Sequence, residues 1–418
     1  MKPDAAMPTA QHLNKPGKWW AILLATIVPI LALTALAISV LLATINVTEP
    51  RDLIELVKAG LGVGAGTGGA VALVLTGRRQ WSVEHANRAT EYDASERRAT
   101  ELYAKAAEQL GSDKAPIRMA GLYALERLAA FHPSQRQTVA NLLCGYLRMP
   151  FDHSGKHQSA NGMADEHQNT TDHRQEREVR LAAQAIFKTH LQLEHGEKGP
   201  DHWGRITIDL TGATLIDFDL YWCTVGYAKF IDATFVGRTE FCSTYFEEMA
   251  VFDGATFVGH ASFYGTAFQG TASFRRTSFE DVAYFDKASF GDKTEFEQTN
   301  FAQDASFFKA EFVPWITFAP AGVEFTNARF ARNADFSEIV SKTCVGFTAT
   351  TFNQATFDGS SFDEGVYGLI PKGDPSKFTA RGATSKQHPL SLPTQAEPDD
   401  YFKRTDINDP KSSEGQQE

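Results

Sequence analysis

Between residues 230 and 362 the apolar pattern is carried by phenylalanines spaced alternately five and six apart. Phe235, Phe246, Phe257, Phe268, Phe279, Phe290, Phe301 and Phe312 recur every eleven residues. Phe241, Phe252, Phe263, Phe274, Phe285, Phe296, Phe307 and Phe318 form a second series with the same period. An eleven-residue period also marks right-handed helical coils. A step of five, however, turns about 140° around a helix and throws alternate rings onto opposite faces, and the abundant Gly, Thr and Ser oppose a helix as well. A straight strand fails because a step of five reverses the face. The chain therefore has to turn a corner between successive rings. Of the 24 in-frame Phe, 13 have Ala, seven Thr and one Ser two residues earlier, so a small and a large residue face the same interior from each short extended segment. Gly237, Gly254, Gly259, Gly265 and Gly270 lie two residues after a ring, where a corner can use a relaxed backbone. Upstream, Leu210, Leu215 and Leu220 continue the step of five.

The N-terminal half is patterned differently. Residues 21–45 carry no charge, and as a helix they reach about 37 Å, enough to span a bilayer. Trp19 and Trp20 flank this run as interfacial aromatics would, and its apolar core is too long for a cleaved signal peptide. A second apolar run, 59–75, holds small-xxx-small pairs such as Gly60 with Gly64, which suit close helix approach in lipid. Together the runs predict a transmembrane helical hairpin. Lys15, Lys18, Arg78 and Arg79 outside it predict a two-pass cell-membrane protein with both termini and the repeat domain cytoplasmic. Residues 80–110 are rich in Ala, Glu and Arg and predict a stalk or self-associating helix. Ile117, Leu122, Leu125 and Leu128, then Val139, Leu142, Leu143 and Leu147, predict an antiparallel helix pair. Residues 151–177 read as a polar loop, 178–205 as a helix and connection, and 368–418 as a polar, disordered tail after a repeat domain of 206–367.

Composition narrows the chemistry. A net charge of -11 argues against a dedicated nucleic-acid binder. Cys144, Cys223, Cys242 and Cys344 stand far apart, which predicts reduced thiols rather than disulfides or zinc. His153, His157, His167 and His173 match no strong ligand spacing and fall in the polar loop. Gly64, Gly66 and Gly69 match G-x-G-x-x-G, but no clear strand precedes them, so a dinucleotide loop is not expected. No nucleophile–base arrangement stands out. The expectation is a non-catalytic chain without a cofactor or metal.

The small-x-Phe-x-x units resemble the pentapeptide-repeat family over about residues 206–367. The segment 109–129 and the basic exit Arg78-Arg79-Gln80 resemble membrane-anchored actinobacterial members. The resemblance implies a right-handed quadrilateral β-helix with the sixteen Phe above as its structural core, in coils of 22 residues with the extra residue bulged at two of four corners. It implies a scaffold that binds an unknown protein partner and meets the lipid bilayer through two N-terminal helices. Alternatives are an acidic DNA-mimicking gyrase binder, since residues 206–362 carry 20 acidic and 10 basic residues, or a self-assembling homo-oligomer. The step of seven into Phe325 and the missing ring between residues 337 and 347 read as loops or as drift in the repeat.

Overall fold

The computed structural model describes residues 50–152, 163–194, 196–313, 322–368 and 377–385, with isolated positions between 28 and 43. The chain divides into two compact units, Met1–Arg97 and Arg98–Glu418.

Helix α1, Pro50–Leu110, runs without interruption through both the glycine-rich run and the predicted stalk. Gly64, Gly66 and Gly69 lie within it, so they form no phosphate loop. In the first unit the exposed side chains of this helix include Leu73, Trp81 and Tyr92. The predicted hairpin has no counterpart among the described residues, where no helix is long and apolar enough to cross a membrane. The run 21–45 lies outside them apart from isolated positions, and the run 59–75 falls within helix α1.

In the second unit, Ala99, Ala106 and Leu110 of α1 pack with α2 (Ala115–Phe131), α3 (Arg136–Leu147) and α4 (Met163–Leu191). Helix α4 begins fifteen residues earlier than the 178 expected. Residues 163–177, read as loop from their polarity, are its first turns, and Arg180 ties the helix to the end of α3. That side chain is 1% exposed; it donates to the carbonyls of Leu147 and Met149 and to Glu176, and lies over the Phe151 ring. A buried guanidinium needs such a full set of acceptors.

The rest of the unit is a parallel β-solenoid with four faces. Face one runs in eight strands from Thr207–Asp209 to Val366–Tyr367, and face four in eight from Thr224–Val225 to Thr384–Ser385. Faces two and three share a 12-stranded sheet, because Arg329–Asp335 and Thr351–Thr356 run through the corner between them. Face three adds Phe378–Thr379, so the solenoid extends beyond the expected end at 367.

The alternation of five and six follows from two kinds of corner. In leaving faces one and three the chain makes a tight turn, in which Ala255 N–H donates to the Phe252 carbonyl at 2.9 Å and Thr266 N–H to that of Phe263 at 3.1 Å. The residue before each of those donors has positive φ, as a type II turn requires. It is glycine at Gly254 (φ 70°), but at Arg276, Lys287, Gln298 and Lys309 the same conformation is held by ordinary residues at 56–57°. The six-residue corners, after faces two and four, are wider. Gly259 sits at one of them without positive φ. It is needed there because a Cβ would overlap the Gly237 carbonyl one coil earlier.

The rings form ladders along the axis. On face one Phe252 stacks on Phe274 at 4.7 Å and 1°, and Phe274 on Phe296 at 4.8 Å and 3°. Faces one and three meet edge to face across the centre, as with Phe263 and Phe274 at 5.5 Å and 89°. Offset stacks along the axis with T-shaped contacts across it satisfy the ring quadrupole in both directions.

Phe318 corrects the sequence reading. It lies outside the described residues, and its place on the face-one ladder is taken by Phe325, stacked on Phe296 at 4.8 Å and 2°. The cause is an insertion. Phe301 pairs with Phe330, 29 residues on, where the coils from Phe235 to Phe301 repeat every 22. The missing ring is Ser341, which faces inward in register with Phe312 and Phe362; the larger Ile339 two residues earlier, 1% exposed, fills part of the space.

Candidate interaction surface

Of the sixteen Phe expected to form the core, the fifteen that are described are at most 1% exposed. They hold the solenoid together and can touch no partner. Recognition therefore falls to the outward residues beside them and to the two ends.

The N-terminal end is closed by the helical segment, face by face. Gln137 of α3 donates to the Thr207 carbonyl and accepts from its N–H, each at 2.9 Å, on face one. Gln184 of α4 does the same to Ile216 on face two, at 2.7 and 3.0 Å. Each side-chain amide thus stands in for a neighbouring strand. On face three Lys188 pairs with Asp219, and at the next corner Leu193 N–H donates to the Trp222 carbonyl at 2.8 Å. Strand edges left open invite pairing with other chains, and this one is covered.

Buried threonines are a feature that sequence reasoning registered only as small. Thr266 and Thr277 donate to the carbonyls of Phe241 and Phe252 at 2.7 and 2.8 Å, and Thr299 to that of Phe274 at 2.6 Å. Each satisfies a carbonyl at the tight turn of the coil before. Their positions just after those turns were the available signal.

Outside, charge is arranged in pairs more than in lines. On face one Asp253 holds Arg275 at 2.6 and 2.9 Å and accepts from Ser273 at 2.5 Å, and Lys293 reaches Glu295 at 2.6 Å. Near the far end Tyr367 donates to Glu324; burial and that carboxylate push its phenol up. On face three Arg238 pairs with Glu240, and Asp286 accepts from Ser306 and from Phe308 N–H. Burial raises the Asp286 carboxyl despite those bonds.

An open recess of about 490 Å³ lies at the helical end of face three, lined by Asp217, Asp219, Tyr221, Arg238, Glu240 and Cys242. Arg177 of α4 reaches Asp217 at 3.0 Å. The Cys242 thiol donates to Glu240 at 2.9 Å and lies 3.0 Å from the Ser262 hydroxyl. Burial, with the Glu240 carboxylate, pushes the thiol up to about 11, so it is protonated and unreactive near neutrality. All four cysteines are free. His153, His157 and His167 lie outside the described residues or have no described side chain. His173 stacks on Phe151 at 4.8 Å, and no group of residues that could hold a metal ion occurs among the described residues.

No family model, curated protein or solved structure matches the chain. The parallel solenoid, with its regular Phe and Thr spacing on four faces, is consistent with a pentapeptide-repeat fold.

Proposed function

We propose that this chain is a non-catalytic, membrane-tethered scaffold of the pentapeptide-repeat type, whose solenoid presents its sides to a protein partner in the cytoplasm. The observation that carries the reading is the division of labour in each coil. The repeating residues all turn inward, while the outward positions vary from coil to coil, as on face three with Asp219, Glu240, Tyr284 and Ser306. A surface that varies along a rigid, regular frame suits recognition, and a reaction would need convergent groups. Closure of the N-terminal end by Gln137 and Gln184 directs binding to the sides. The tether rests on the uncharged run 21–45 with its flanking Trp and Lys residues.

Duplex mimicry draws less support. It needs unbroken lines of carboxylates, whereas Asp253, Glu240 and Glu295 are paired with Arg275, Arg238 and Lys293.

The test is in-cell photo-crosslinking with a probe placed singly on each face of the full chain, at Glu297, Thr256, Tyr264 or Gln269. A protein adduct from at least one face, recovered from membranes, is expected. No protein adduct from any of the four faces would reduce the solenoid to a spacer and overturn the reading.

A further inference from the structure

His190 stands where the helical segment meets the solenoid, in the last turn of α4. Its ring is buried and meets an oxygen on each side. Nε2 lies 2.8 Å from a carboxylate oxygen of Glu126 on α2, and Nδ1 lies 3.0 Å from the Asp201 carbonyl in the connection after α4. A carbonyl and a carboxylate only accept. A neutral imidazole has one N–H and one lone pair, so it satisfies one of these oxygens and turns a lone pair on the other. Both bonds form together only when the His190–Glu126 pair holds one further proton.

The surroundings favour that proton. The negative end of the α4 dipole falls at His190, and the Trp203 ring stacks on the imidazole at 4.8 Å and 13°, presenting its π face to the charge. The charged groups of the adjoining elements are engaged elsewhere. Lys188, two residues earlier on α4, pairs with Asp219. Arg136 of α3 donates to the carbonyls of Ala129 and His202. In the connection, Lys198 and Arg205 pair with Glu247 and Glu248, and Asp201 is exposed. His202 is arranged the opposite way. Its Nε2 donates to the Leu191 carbonyl and its Nδ1 accepts from Gly204 N–H, so a neutral ring satisfies both bonds. Burial, with Lys198 after it, holds this imidazole below the ordinary histidine range.

The bonds of His190 tie α2, α4 and the connection at one point, and the connection covers the first coil. Trp203 N–H donates to the His190 carbonyl at 2.9 Å, Leu193 N–H donates to the Trp222 carbonyl at 2.8 Å, and Gln192 bridges to Cys223 beside the first strand of face four. A strand edge that loses such cover is open to pairing with another chain.

We propose that the His190–Glu126 pair is a proton-held latch. With the proton in place the connection is clamped over the first coil; loss of the proton as pH rises frees the connection and bares the face-four edge of the solenoid. The latch does not depend on the scaffold reading.

The test is hydrogen exchange of the detergent-solubilised full chain at pH 6 and pH 8.5, corrected for intrinsic rates and read on peptides containing Leu193 and Trp203. Corrected exchange there is expected to be about tenfold or more faster at the higher pH, the scale of one buried hydrogen bond to a charged group. Coils further along, at Ala261 and Ala283, are expected to keep the same protection at both. Glu126→Gln supplies its own N–H to a neutral Nε2, so this variant is expected to stay protected at both pH values. His190→Gln makes one of the two bonds at best and is expected to exchange fast at both. A wild-type ratio near one, a Glu126→Gln ratio like that of the wild type, or His190→Gln as well protected as the wild type at pH 6 would overturn the proposal.

Discussion

Replacing Phe274 by leucine removes one ring from the middle of the face-one ladder and keeps most of its apolar bulk. The wild-type ring is fully buried, stacked on Phe252 and Phe296 at 4.7 and 4.8 Å and edge-on to Phe263 and Phe285 at 5.5 and 5.4 Å. Aromatic pairs contribute about 0.5–1.5 kcal/mol each beyond buried area. Leucine retains part of the dispersion, so the lower end is applied to each of these four, the nearest of its ring contacts, for a loss of roughly 2 kcal/mol. Phe274→Ala adds a cavity and is expected to cost about 3–5 kcal/mol. The matched control is Phe308→Leu. This ring is out of frame, lies outside and is half-buried, and the change is expected to stay within about 0.5 kcal/mol. Guanidinium denaturation of the full chain in detergent, followed by circular dichroism, gives the comparison. Amide exchange in the adjoining coils reports whether the loss is local, since a repeat array need not unfold in one step. Equal effects of Phe274→Leu and Phe308→Leu would refute the account of the ladders as the main source of stability.

Thr277→Val keeps the shape of a buried side chain but removes the donor to the Phe252 carbonyl; a loss of about 1 kcal/mol is expected by the same denaturation, with Thr277→Ser close to wild type. Gln184→Leu strips the N–H and carbonyl of Ile216 of their partners, which should cost about 2–4 kcal/mol and speed amide exchange in the first coil before the rest. Gly254→Ala puts a Cβ against Asp232 at a φ of 70°, and a drop in the denaturation midpoint equivalent to more than about 1 kcal/mol is expected. For Cys242 the folded value, about 11, lies above the 9.0 of an ordinary thiol, so its contribution to stability is fully present below pH 9 and is lost as pH rises through 11. Accordingly, iodoacetamide should modify native Cys242 more slowly than the urea-unfolded chain at pH 9, with the rates converging as pH passes about 11.

The interior was legible in the sequence because each coil repeats the same demand, a ring with a small residue two positions earlier. Legibility ended where the repeat changed length. Extrapolating the period assigned Phe318 to the core, yet a period cannot distinguish a continued frame from an inserted segment, and Phe325 holds the position. Residues 163–177 looked like loop because polarity was read without a partner, and the acceptors that hold Arg180 come from a distant helix. Phe378 stood alone, separated by a polar stretch from the last regular unit, so nothing local marked it as another coil. The closing glutamines were invisible for a different reason. Gln137 and Gln184 sit on ordinary helices, and their role exists only against the first coil.

The 29-residue coil has a practical consequence. The chain takes seven residues more than the usual 22 between Phe296 and Phe325, and the stacks keep their alignment, Phe296 on Phe325 and Phe301 on Phe330. The frame therefore counts turns and not residues. A corner beside Val313 is a natural graft point, where an epitope, a fluorophore tag or a protease site can be spliced in while the coils on both sides keep their alignment.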